Sequence, residues 1–194
     1  MNRLHTQRLV SIAASFLLTA APIAVIAQAG ASDDDKHFVE AALKGGMAEV
    51  ELGKLAADKG TSEDVKMFGR KMVEDHTKMG DQMKTVAAKV GVTPPSMSGA
   101  EAMAEKAKLE VLSGKSFDDA YIKAMVKDHE DDLADFKKEA ETGTSPSVKN
   151  AARQGETVVS HHLAMIRKIA QDHNVTASYR KPSAATLASA TGTR

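Results

Sequence analysis

The sequence predicts an all-α chain in which four long amphipathic helices pack as one bundle, with a short helix in the connection between the second and the third. Three observations carry that prediction. Apolar residues recur at steps of three and four through four long stretches, the signature of one buried helix face. No segment alternates apolar and polar residues as a half-buried strand must. Turn signals at Lys59-Gly60, at Gly91 with Pro94-Pro95, and at Thr142-Gly143 divide the chain into pieces of helical length. At 194 residues the chain can bury a sizeable core as a single domain. With 4% aromatic residues, no Trp and no Cys, that core must rest on Leu, Val, Ile, Met and Ala. Neither a disulfide nor a thiolate metal site is available. A formal net charge of zero, with both signs interspersed, argues against a nucleic-acid partner.

The bundle is expected over residues 30–173. Residues 1–29 read as a secretory signal peptide: Arg3 and Arg8 precede an almost wholly apolar run from Leu9 to Ala27, and Ala27-Gln28-Ala29 offers small residues for cleavage. No Cys follows the run, so a lipoprotein anchor is excluded. The mature chain is expected to be exported, to the periplasm in a bacterium, with no transmembrane segment left in it. Residues 174–194, rich in Ser, Thr, Ala and Pro without periodicity, read as a disordered tail.

Taken in order, the first long helix is expected from about His37 to Asp58, with a stripe of Phe38, Ala42, Gly45, Glu49, Leu52 and Ala56. Gly45, Gly46 and Gly53 each cost it about 1 kcal/mol relative to Ala, so close approach of a neighbouring helix is expected there. Thr61 or Ser62 should cap the second helix, whose stripe is Val65, Phe68, Met72, His76, Met79, Met83, Val86 and Val90. Ser98 and Glu101 resemble a capping box for a short helix ending near Leu112. Ser116 and Asp119 repeat that pattern before the third long helix, with Phe117, Tyr121, Met125, His129, Leu133 and Phe136 on its stripe. Ser145-Pro146 opens the last helix, whose stripe is Val148, Ala152, Gly155, Val159, His162, Ile166 and Ile169. The connection from Gly91 to Ser116 either crosses the length of the bundle or folds back as a hairpin, and its length favours crossing.

Glu49, His76, His129 and His162 each stand about halfway along a different long helix, on its apolar stripe. They are the candidate metal ligands, since bundle cores build such sites from inward side chains at one height. Asp75, Asp128 and Asp132 lie near enough to orient the imidazoles. Histidine with carboxylate suits iron, manganese, zinc or copper. A carboxylate-bridged iron pair is disfavoured, because Val73, Val126 and Val159 stand where a Glu-x-x-His pattern needs glutamate. The competing reading is three packed core histidines. Met72, Met79 and Met83 share a face with His76, a set that would suit copper(I) but is also what a plain core stripe looks like. No phosphate loop, nucleophile elbow or cysteine nucleophile is present, so a binding or stress-related role is favoured over catalysis. An envelope partner and self-association are both left open.

One stretch occurs twice, as Met-Val-x-Asp-His at Met72–His76 and again at Met125–His129. Together with Gly45–Ala56 and Ser116–Tyr121, these segments resemble domain-of-unknown-function family 4142 over about Lys36 to Ala170. The resemblance implies an exported, ferritin-like bundle with no established activity, of a kind often labelled an outer-membrane protein. It carries Glu49, Asp75-His76, Asp128-His129 and His162 as motif residues. Glu156-Thr157 departs from the Leu-Pro of similar sequences. The lack of alternating strands excludes an outer-membrane barrel.

Overall fold

The computed structural model describes residues 30–176. The expected leader, and all but the first three residues of the expected tail, lie outside the described residues. Five helices follow one another: α1 (Asp33–Lys59), α2 (Glu63–Val90), α3 (Ala100–Glu110), α4 (Gly114–Thr142) and α5 (Pro146–Asp172). Among the described residues there is no strand. The long helices are α1, α2, α4 and α5, and α3 is the short helix of the connection. Val175 turns back against the core beyond Asn174, whose φ of 55° ends the chain's helical path.

Contacts between helix ends fix the directions. Asp118, in the first turns of α4, accepts from the backbone of Thr61 and Ser62 at the start of α2, so α2 and α4 run parallel. His173 at the end of α5 meets Asp64 of α2 at 2.9 Å, so α5 runs opposite to α2. Asp35 at the start of α1 accepts from Thr144 and Ser145 between α4 and α5, which sets α1 antiparallel to α4. The hairpins α1–α2 and α4–α5 pack side by side, with α2 against α5 and α1 against α4. Helix α2 therefore ends at the opposite end of the bundle from where α4 begins, and residues 91–113 cross its full length. That is the crossing topology of ferritin-like folds. In crossing, α3 lies over the seam between α1 and α4.

Several helix starts differ from the local patterns. Helix α1 begins earlier, at Asp33, because Ser32 and Asp35 form a capping box. Ser62 precedes α2 without capping it through its side chain; Asp118 does that from another helix. Gly99 rather than Ser98 precedes α3, and the buried Ser98 faces Glu51. Helix α4 starts at Gly114 after Ser113, which leaves Ser116 inside the helix. Helix α5 runs unbroken through Glu156-Thr157.

The core has two apolar clusters, one on each side of a polar middle layer. One gathers Phe68, Met72, Phe117, Tyr121, Met125 and Ile166, among others; the other holds Val39, Leu43, Met83, Phe136, Val148 and Val159. Met72 and Met83 are thus core packing. The first half of α1 is turned about one residue from its expected face, burying Val39, Leu43 and Gly46 rather than Phe38, Ala42 and Gly45. The reason is that α1 packs chiefly on α2 and only loosely on α4.

The glycines divide into two kinds. At Gly53 and Gly69 the backbones of α1 and α2 touch: a Cβ on either would stand within 2.8 Å of the other's carbonyl oxygen. At Gly155 a Cβ would enter the Phe136 ring. The expectation of close approach therefore holds at Gly53. It fails at Gly45 and Gly46, where a Cβ would meet nothing within 4 Å.

Candidate metal centre

The middle layer is made of four side chains, one per long helix, and all four are buried: Glu49, His76, His129 and His162, at 4%, 1%, 0% and 0% exposure. The two Met-Val-x-Asp-His copies lie on α2 and α4, which are parallel and diagonal, so the repeat places His76 and His129 at one height. Their ring centroids are 5.9 Å apart, and that of His162 is 5.2 and 5.6 Å from the two.

Two of the imidazoles are hydrogen-bonded from outside through one nitrogen, and the third only approaches a carboxylate. His129 Nδ1 donates to the Met125 carbonyl at 2.9 Å, and His162 Nε2 donates to Asp75 Oδ2 at 2.8 Å. His76 Nδ1 stands 2.8 Å from Glu49 Oε2. With a proton on each outer nitrogen, the inner nitrogens present lone pairs to the middle of the bundle. One ring nitrogen from each of the three lies within 4.8 Å of the others, and His76 Nε2 is 3.2 Å from His162 Nδ1. Two donor atoms on one tetrahedral metal, with bonds of about 2.0–2.1 Å, stand about 3.3 Å apart.

A proton shared between His76 and His162 would satisfy the facing nitrogens of those two rings. It would leave His129 Nε2 and Glu49 Oε1, both buried and without a hydrogen-bond partner, as is His76 Nδ1 on the outer side of its ring. The first two face each other at 3.5 Å, too far for a good hydrogen bond. Buried atoms left so are costly, and a cation at this point would answer to all of them at once. Burial holds all three imidazoles down at a pKa of about 4, so they are neutral near pH 7, the state in which a ring nitrogen binds metal. Burial raises the Glu49 carboxyl to about 7, against the pull of His129. The donor set thus fits a first-row transition ion, held by three imidazoles with Glu49 Oε1 beside them.

The acidic residues divide by seam. Asp75 touches His162 and also accepts from Lys71 at 3.0 Å; burial would raise its pKa, but these hydrogen bonds outweigh it and hold it low. Its contact fixes the orientation of the His162 ring. Asp128 and Asp132 orient no ring: no imidazole contact is found for either among the described residues. They face Glu49 across the α1–α4 seam, where burial lifts Asp128 to about 6 and, together with the Glu49 charge, Asp132 to about 8. Asp128 precedes His129 by one residue, about 100° around the helix, and Asp132 lies one turn beyond Asp128 on that same side. Tyr121, on the apolar stripe of α4, has its hydroxyl buried without a partner, and burial pushes its pKa up strongly. His161 is exposed, and His173 serves the end contact with Asp64.

The sequence profile of the domain of unknown function DUF4142 matches residues 20–169. Among solved structures, the fold is similar to a DUF305 fragment from Deinococcus radiodurans, at 16% identity with a TM-score of 0.64, covering 73% of this chain and 97% of that one. It is also similar to a DUF305 protein of Streptomyces coelicolor, named as a candidate secreted protein, at 17% identity with a TM-score of 0.63, covering 76% and 98%. At these identities the likeness concerns the fold alone. No curated protein matches the chain.

Proposed function

This chain belongs to the DUF4142 family, a domain of unknown function, and from that premise we propose that it is an exported helical bundle whose role is to bind a first-row transition metal in its core. His76, His129 and His162 supply the imidazole ligands. Glu49 holds the His76 ring with one carboxylate oxygen and offers the other as a fourth ligand beside His129. Asp75 fixes the His162 ring. The observation that carries this reading is the convergence of three neutral imidazoles, two of them hydrogen-bonded from outside, in a buried layer where atoms of His76, His129 and Glu49 have no hydrogen-bond partner. Binding is favoured over turnover because the four side chains come from packed mid-helix positions. Export to the periplasm follows from the leader read in residues 1–29, and no helix among the described residues is long and apolar enough to cross a membrane.

The test is the metal content of the mature chain, purified without chelator or metal-affinity tag and measured by elemental mass spectrometry. About one iron, manganese, zinc or copper ion per chain is expected, and none in His76→Ala/His129→Ala. A metal-free chain that also takes up nothing on titration would leave a structural layer of core histidines and overturn the reading.

A further inference from the structure

Asp75 and Asp128 occupy the same position in the two motif copies, yet only Asp75 is engaged. On the α2–α5 side, Asp75 closes the seam through His162 and Lys71. On the α1–α4 side, the corresponding Asp128 and its i+4 neighbour Asp132 form no ion pair with a lysine or arginine among the described residues: of the cations, Asp128 feels only the charge of Lys127, and Asp132 turns to Glu49. Three of the four lysines that line the groove are paired elsewhere, Lys127 with Asp131 at 2.8 Å, Lys108 with Glu105 at 3.1 Å and Lys44 with Glu40 at 2.6 Å, while the exposed Lys123 has no ion pair among the described residues. These two half-buried carboxylates line a groove of about 870 Å³ between α1, α3 and α4, and Glu49 lies in it as well. Glu49 Oε1 is buried and unpartnered there.

The groove's width has a local cause. Gly45 lines it one turn before Glu49, at a point where a Cβ would meet nothing. A mid-helix glycine costs about 1 kcal/mol relative to alanine, and here close helix contact does not explain it. Ala48, Ala102, Ala120 and Ala124 keep the rest of the walls short. A second opening, of about 280 Å³ between α1 and α2, ends on His76 beside Gly46 and Gly80. It is lined by Leu43, Met47, Val50 and Pro94, and its acidic residues Glu51 and Asp81 are paired with Lys106 and Lys84. A hydrated dication loses water there without gaining oxygen ligands, which is costly.

Resting on the metal-binding reading above, we infer that the α1–α3–α4 groove is the loading route of the centre, and that Asp128 and Asp132 pass a divalent cation to Glu49. Carboxylates one helical turn apart are about 5–6 Å from each other, a spacing over which one oxygen ligand can replace another as water is shed. Glu49 Oε1, 3.5 Å from His129 Nε2, then delivers the ion to the imidazoles.

The experiment uses the full mature chain stripped of metal and mixed rapidly with cobalt(II), following the visible absorption of the cobalt complex and measuring final stoichiometry separately. Asp128→Asn/Asp132→Asn should load about tenfold more slowly, with the same final spectrum and stoichiometry, because the carboxylate oxygens that take the ion from water and hand it to Glu49 are gone. The wild-type rate should fall as salt is raised, and the variant's should not. Gly45→Leu, which fills the groove where there is room for a side chain, should slow loading too, whereas Gly80→Leu in the other opening should not. Loading of the double variant at the wild-type rate, or slowing by Gly80→Leu instead of Gly45→Leu, would overturn the route while leaving the centre intact. A wild-type chain that binds no cobalt at equilibrium would instead overturn the centre itself, and the route with it.

Discussion

Replacing Gly69 and Gly80 separately by alanine makes one substitution at two places on α2 with opposite expected signs. In both, the helix gains about 1 kcal/mol from the lower entropy cost of alanine. At Gly80 nothing lies within 4 Å of the new Cβ, so the gain is kept. At Gly69 the Cβ would stand 2.6 Å from the Gly53 carbonyl oxygen, 2.8 Å from the Ala57 nitrogen and 2.9 Å from Ala56 Cβ. Two of those three are backbone atoms of α1, which cannot swing aside, so the two helices must part along their contact. Overpacking of that kind costs about 1–3 kcal/mol, and with several contacts violated together the upper half of the range applies. The net expectation is a loss of about 1–2 kcal/mol for Gly69→Ala against a gain of about 1 kcal/mol for Gly80→Ala. For a domain of this size each kcal/mol moves the melting temperature by about 2–4 °C. Thermal unfolding followed by far-ultraviolet circular dichroism on metal-free protein reads both. Shifts of the same sign would refute the division of the glycines into contact and open positions, and with it the reason given for the groove at Gly45.

Three further outcomes are expected. Asp118→Ala leaves the Thr61 and Ser62 amides, each now 2.9 Å from the carboxylate, without their acceptor, and should cost about 1–3 kcal/mol in denaturant unfolding; a change within error would mean water replaces the carboxylate freely. Burial, with the Asp35 carboxylate alongside, raises Glu139 from 4.5 to about 7. A raised folded-state pKa gives stability that is complete below about pH 4.5 and is lost as pH climbs to about 7, so Glu139→Gln should gain on the wild type across that window and run parallel above it. Unfolding curves at several pH values that keep a constant gap would contradict this. Asp75→Asn should weaken metal affinity by about 10–100-fold while leaving one ion bound at saturation, as loss of a hydrogen bond to a ligand's outer nitrogen does; unchanged affinity in competition with a chelator would show that the His162 ring needs no such support.

The four long helices and their mid-layer polar residues were legible because a period of 3.6 writes itself into the chain: His76, His129 and His162 fall on apolar stripes that only a helix aligns. The crossing topology was half legible, since residues 91–113 are long enough to cross but nothing local obliges them to. What could not be read depends on the partner helix. Asp118 looks like an ordinary early-helix acid until the start of α2 is set beside it. The turn of α1 away from its expected face comes from its tight contact with α2 at Gly53 and Gly69. Asp128 and Asp132 were expected on the imidazoles because of their closeness in sequence to His129. The helix instead aims them outward to the seam beside Glu49, and the seam is open only because α1 and α4 pack loosely.

The four side chains of the proposed centre are shared two and two between the hairpins: Glu49 and His76 from α1–α2, His129 and His162 from α4–α5. Only residues 91–113 join the halves covalently. Each hairpin alone thus carries an incomplete centre, with half of it on either side of the crossing segment. Two separately expressed fragments, divided within that segment, would have to find each other to rebuild the layer, and a transition metal would act as the glue that reports their reunion.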